Sequence, residues 1–268
     1  MKRKNLFMTM TTIFLTIWLL ACSNETHSIK SLDTRQSGPV NLDTKIEQFI
    51  EKNRLPGLVL MVKHKGKVIK HQAYGYADLE QKIPMTKDAI FRIYSMSKPI
   101  TALAALASLE QHDLSVDAPL QAILTEFSHH PTIPVHTLLN HTSGLSYGFK
   151  INRWAGWLYL FANLNASETL DEFIDNIATL PLLSEPGQRW RYSYSSDVLG
   201  GMIERLNGET LSDSYRKHIF QPLSMKDTGF YVSEQAAKRV VPMYTNDWFS
   251  ELPKKRPRET DLTELPPV

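Results

Sequence analysis

Leu58-Val59-Leu60-Met61-Val62 is unbroken apolar, and after the polar pair Lys65-Gly66 the apolar character resumes at Val68-Ile69 and runs on to Ala73-Tyr74-Gly75-Tyr76. Two such runs joined by a glycine turn predict an antiparallel hairpin, which needs strands beside it to be stable. Ahead of it, Ile46, Phe49 and Ile50 recur at helical spacing behind Asn41-Leu42-Asp43, so a capped amphipathic helix is predicted, ended by Pro56-Gly57. Residues 100–109 are apolar at nearly every position, the pattern of a helix buried on all sides. Downstream, the spacing predicts helices over 135–139, 158–164, 167–180, 197–206 and 211–222, with Gly200 and Gly201 letting the fourth of these approach a neighbour closely. After Phe220 the one candidate strand is 229–232, and from Val241 the periodicity fades into prolines and charges.

The two ends change the picture. Met1-Lys2-Arg3-Lys4 precedes an apolar stretch over 6–20 that is short for a bilayer span and ends in Leu19-Leu20-Ala21-Cys22, which reads as a secretory signal. A cysteine right after the small residue resembles the lipobox of bacterial lipoproteins. That resemblance implies a signal over 1–21, an acylated Cys22 opening a tether over 22–42, and a domain over 43–268. Ser23 then points to the outer membrane of the cell envelope, with the protein facing the periplasm on a lipid anchor. Cys22 is the only cysteine, so no internal disulfide exists. Net charge is +2 with 22% charged residues, which gives no field for nucleic acid, and the basic cluster Lys254-Lys255-Arg256-Pro257-Arg258 reads as a solvated loop.

Chemistry concentrates at Ser95-Met96-Ser97-Lys98, which opens the most apolar helix. Residues three apart share a helix face, so Lys98 can reach the Ser95 hydroxyl, while desolvation among apolar neighbours is expected to lower the lysine pKa and make it a base. The alternative is a serine that merely caps a core helix. A second S-x-x-K, Ser214 to Lys217, lies in an alternating charged and apolar helix that would leave its serine near a solvated face. Gly144-Leu145-Ser146-Tyr147-Gly148 matches the esterase elbow but lacks the strand that should precede it. His129-His130 cannot converge on one metal ion, and no cofactor motif occurs. Tyr192, between Pro186-Gly187 and the 197–206 helix, is a workable proton carrier if a lysine ammonium lies against it; otherwise it is a buried structural tyrosine.

Four segments in order, Phe91 to Thr101, Leu114 to Leu120, Leu138-Leu139-Asn140-His141-Thr142-Ser143-Gly144-Leu145, and Pro186-Gly187 through Tyr192-Ser193, resemble the class C β-lactamase and penicillin-binding-protein-like serine hydrolases, with their related esterases. The resemblance implies an α/β fold of the α+β type, an antiparallel sheet flanked by helices with an all-helical region inserted. It implies Ser95 as acylated nucleophile, Lys98 as proton acceptor and Tyr192 as the linking base, with the Ser95 N–H forming half of an oxyanion hole. The H-T-S-G turn at His141 is implied to be structural. Ester, β-lactam or peptide substrates follow, with the lean toward esters because Tyr192-Ser193-Tyr194 replaces the lactamases' Y-x-N. The family's last K-T-G or H-x-G strand has no counterpart up to residue 268, so an early stop and doubtful activity of this chain are expected. The alternative function is a non-catalytic surface lipoprotein of the same shape that binds cell-wall-like ligands.

Overall fold

The computed structural model describes residues 41–148, 154–245 and 253–255. The lipobox cysteine and the signal lie outside them. The first helix, α1, spans Leu42–Asn53, and the Asn41 side chain caps it by accepting from the Asp43 N–H at 3.0 Å.

Strand β1 (Gly57–His64) and strand β2 (Lys67–Asp78) pair antiparallel around Lys65-Gly66, both with positive φ as a two-residue hairpin of this hand requires. The partner expected for this hairpin is in part β3 (Ile83–Pro84), which pairs with the end of β2 to give the order β1-β2-β3. β1 has no neighbour on its other edge among the described residues, and Met61, Val68 and Ile69 stand exposed.

Helix α2 (Ser97–Gln111) follows a 3-10 turn at Tyr94–Met96. It is not buried on all sides. Ala104, Ala105 and Leu109 are buried, whereas Leu103 and Leu106 on the other face are 49% and 43% exposed. An all-apolar run carries no periodicity, so the sequence had no signal for which face would be covered.

The remaining helices are α3 (Val135–Leu139), α4 (Trp154–Phe161), α5 (Leu170–Ala178), α6 (Ser195–Asn207) and α7 (Leu211–Tyr215), the last continuing as a π-turn at Arg216–Phe220. α2 packs on α6, which also touches α3, α5 and α7, so α6 is the hub of the core formed by Leu109, Leu120, Leu138, Ile174, Leu199 and Ile203. The close approach expected at Gly200 and Gly201 is present. A β-carbon on Gly201 would lie 2.6 Å from Ile174 Cγ1 of α5.

Two expectations fail here. Residues 229–231 form bends and 229–232 make no strand, because among the described residues no strand lies alongside to supply ladder hydrogen bonds. The basic cluster is not wholly a solvated loop. Lys255, in the two-residue strand β5 (Lys254–Lys255) paired with β4 (Tyr244–Thr245), donates to the buried carboxylate of Asp78 at 2.5 Å.

Candidate active site

The segment before α2 is wound tightly. Tyr94 has φ +44°, a left-handed conformation that costs a bulky residue about 1–3 kcal/mol and that clusters where a side chain must be presented. The next residue is Ser95, exposed in the 3-10 turn ahead of the helix proper. Lys98 lies in the first turn of α2, half-buried, and Pro99 beside it costs no hydrogen bond because first-turn N–H groups have no helical partner.

Tyr192 arrives from 94 residues downstream, carried by a loop that is laid across the H-T-S-G turn. Three backbone bonds stitch them together: Arg191 N–H to the His141 carbonyl at 2.7 Å, Gly187 N–H to Thr142 at 2.9 Å, and Leu183 N–H to Gly144 at 2.8 Å. Behind the backbone, the buried Ser143 and Ser193 hydroxyls each lie 2.8 Å from Ser195 Oγ at the start of α6. The turn itself needs φ of +60° at His141 and +90° at Gly144. Between them these contacts leave the Tyr192 ring little freedom.

The Tyr192 phenol faces Ser95 and the Lys98 ammonium, and both act on it. The ammonium stands 5.0 Å from the Tyr192 ring centroid and 5.9 Å from that of Tyr147. The Ser95 hydrogen bond, with the ammonium adding to it, holds the Tyr192 phenol below its ordinary pKa despite partial burial. Lys98 moves opposite to the sequence expectation. Burial does push it down, but the hydrogen bonds and negative potential of Tyr192 and Tyr147 outweigh that and raise it. Tyr147 is pushed up to about 12, mainly by burial, and so stays a neutral phenol. His141, whose ring is 4.9 Å from that of Tyr192, is held below its ordinary pKa by burial and by the nearby Lys98 charge. The pair therefore shifts toward phenolate and ammonium, Tyr192 downward and Lys98 upward.

The Beta-lactamase family profile matches residues 42–261. This chain belongs to the beta-lactamase family. Among its relatives, esterase EstB of Burkholderia gladioli is 37% identical over 216 residues, covering 76% of this chain and 54% of that protein. Lovastatin esterase of Penicillium rubens is 29% identical over 229 residues, 77% of this chain and 57% of that protein. The solved structure of EstCE1, described as a hydrolase with promiscuous acyltransferase activity, superposes with a TM-score of 0.71 at 31% identity, covering 81% of this chain and 58% of that one. The chain spans about half the length of the curated relatives it matches.

Within this beta-lactamase-family site, the three residues singled out from sequence, Ser95, Lys98 and Tyr192, meet in space. Competing serines do not join them. Ser146 is buried in a turn that follows helix α3, its hydroxyl accepting from the Gly148 N–H at 3.0 Å, without the strand an elbow needs. Ser214 is buried as well, against the expectation of a solvated face; it donates to Glu209 and accepts from Asn207, both at 3.0 Å. Among the described residues no group of three or more His, Cys, Asp or Glu side chains could hold a metal ion. Where lactamases have the asparagine of Y-x-N, the Tyr194 ring packs 4.2 Å from that of Tyr147 and 5.6 Å from that of Phe173.

Sequence reading overlooked two participants. Tyr147, which in the sequence is only part of the esterase-like glycine pattern, lies beside Tyr192 against the same ammonium, the two ring centroids 5.5 Å apart. The spacing makes Asp197 the first residue of a helix, whereas it sits within the first turn of α6 and shares a cavity wall with Lys98. A carboxylate five residues after Tyr192 in an otherwise apolar and small-residue segment was the available signal.

Proposed function

We propose that this protein is a serine hydrolase that acts through an acyl-enzyme, with esters as its substrates. The observation that carries the reading is the convergence of Ser95, Lys98 and Tyr192 on braced supports, with the ammonium 5.0 Å from the Tyr192 ring. As the Ser95 oxygen attacks an ester carbonyl, its proton passes to the Tyr192 phenolate, while the Lys98 ammonium offsets the negative charge that Tyr192 carries beforehand. The Ser95 backbone N–H stabilises the oxyanion. When the tetrahedral adduct collapses, Tyr192 gives the proton to the leaving alkoxide and is ready, as phenolate again, to activate the water that releases the acid. Esters are favoured over β-lactams and peptides for two reasons: Tyr194 offers a packed ring where a lactamase has a hydrogen-bonding amide, and the relatives just described are named for esterase or hydrolase activity.

A fluorophosphonate probe tests this directly, since covalent capture requires an activated hydroxyl. The full chain should be labelled on Ser95 and the Ser95→Ala variant not at all. Reversible binding of cell-wall-like ligands without labelling would identify the non-catalytic lipoprotein instead, and a label on Ser146 would transfer the chemistry to the elbow.

The envelope location is proposed from sequence alone. Cys22 follows the small residue of a lipobox-like signal, and no helix among the described residues is long and apolar enough to cross a membrane. Expression in a bacterial envelope should yield an N-terminal peptide with diacylglyceryl on Cys22, and Cys22→Ala should accumulate the unprocessed precursor in the detergent-partitioning assay. An unmodified Cys22 by mass spectrometry ends the claim.

A further inference from the structure

Asp197 is out of place for an ordinary residue of a helix's first turn. Carboxylates there usually face water and neutralise free N–H groups. Here the carboxylate does face its own backbone N–H, but Oδ2 has no accessible surface and no hydrogen-bond partner among the described residues. The side chain lines a cavity of about 340 Å³ whose wall also includes Lys98, Thr101, Leu170 and Tyr215. A buried, unpartnered carboxylate oxygen costs free energy, so a charge able to act on it at short range is the natural compensation. The groups whose charges bear on it are Lys98 of α2, Tyr147 of the loop after α3, Tyr192 and Tyr194 of the loop before α6, and Tyr215 of α7; Lys98 is the one cation among them.

We infer that Asp197 is a positioning residue that sets the charge balance of the Lys98–Tyr192 pair, its field acting on both side chains. The inference rests on the proposed roles of those two residues. Ionised, Asp197 favours the Lys98 ammonium and opposes the Tyr192 phenolate, so it keeps both protons bound to higher pH. Burial raises the pKa of Asp197 itself and the Lys98 charge pulls it back down. Removing the carboxylate should therefore let both groups release their protons at lower pH. A loss of packing alone would reduce the rate without moving either limb of a pH profile.

The experiment is the second-order rate of fluorophosphonate labelling of Ser95 in the full chain, measured across pH for the parent, Asp197→Asn and Asp197→Glu. In Asp197→Asn both limbs should move to lower pH, with labelling below the parent's acidic midpoint faster by about threefold or more. Asp197→Glu, which keeps the charge, should return both limbs toward the parent. If the amide variant does not fold, Asp197→Ser removes the charge without adding bulk and carries the same expectation. Limbs unmoved in a folded, charge-free variant overturn the inference, as does a carboxyl stretch showing Asp197 protonated throughout the parent's labelling range. Parent labelling that misses Ser95 would instead sink the proposed function, so the two failures are distinguishable.

Discussion

Tyr192→Phe and Lys98→Ala should each slow acylation of Ser95 by about 10²- to 10⁴-fold, the usual size of a lost acid–base contribution, and the double variant should lose far less than the product of the two. In the proposed mechanism both side chains serve one proton: Tyr192 accepts it and Lys98 holds the acceptor ionised. Once the phenol is gone the ammonium has nothing left to stabilise. Multiplicative losses would mean that they act separately. The pH dependence follows with a definite sign. Tyr192 must be deprotonated and lies below its ordinary value of 10.0, so labelling rises with pH through that ionisation. Lys98 must stay charged and lies above 10.5, so the fall comes only at strongly alkaline pH. In Lys98→Ala the residual rate should have its rising limb shifted upward, because the ammonium no longer favours phenolate. A limb that stayed in place would remove Lys98 from the account of Tyr192.

Gly144→Ala should be the most damaging single-methyl change in the molecule. Gly144 sits at φ +90°, a conformation that L side chains rarely adopt, and its added β-carbon would lie 2.3 Å from the Ser184 carbonyl oxygen. That obstacle is backbone of the very loop that carries Tyr192, so it cannot swing aside. The loss should be about 2–3 kcal/mol of stability, read as a lower thermal midpoint, and labelling of Ser95 should slow as well because the Arg191 to His141 and Leu183 to Gly144 bonds register the loop. An unchanged melt would show that the turn relaxes at no cost. Slow labelling with a normal melt would confine its role to placing Tyr192.

The glycine in H-T-S-G could be seen from sequence as a turn, and so could Lys65-Gly66, because positive φ is a local property that glycine announces. The close helix contact was legible too: Gly200-Gly201 alone foretold an approach that α5 fills with Ile174. Ser214 shows where this reasoning stops. Its surroundings alternate in the manner of a surface helix, yet the hydroxyl is buried because Asn207 and Glu209 fold back over it.

The charge of Lys98 marks the same boundary more sharply. Local composition predicts desolvation and a depressed lysine, and desolvation is indeed the largest single influence on it. Its sum has the opposite sign because Tyr147 and Tyr192, 49 and 94 positions away, are brought against the ammonium by the H-T-S-G turn and the serine-bonded loop. By itself the sequence determined that Ser95 and Lys98 lie one turn apart at the start of α2 and that glycine turns flank the loop carrying Tyr192, since both follow from short-range spacing and backbone preference. Only the tertiary structure decided the direction in which the pKa values of Lys98 and Tyr192 move, the covered face of α2 and the placing of Asp197 in the wall beside Lys98. Those depend on Coulomb and solvation terms summed over neighbours that chain order does not reveal.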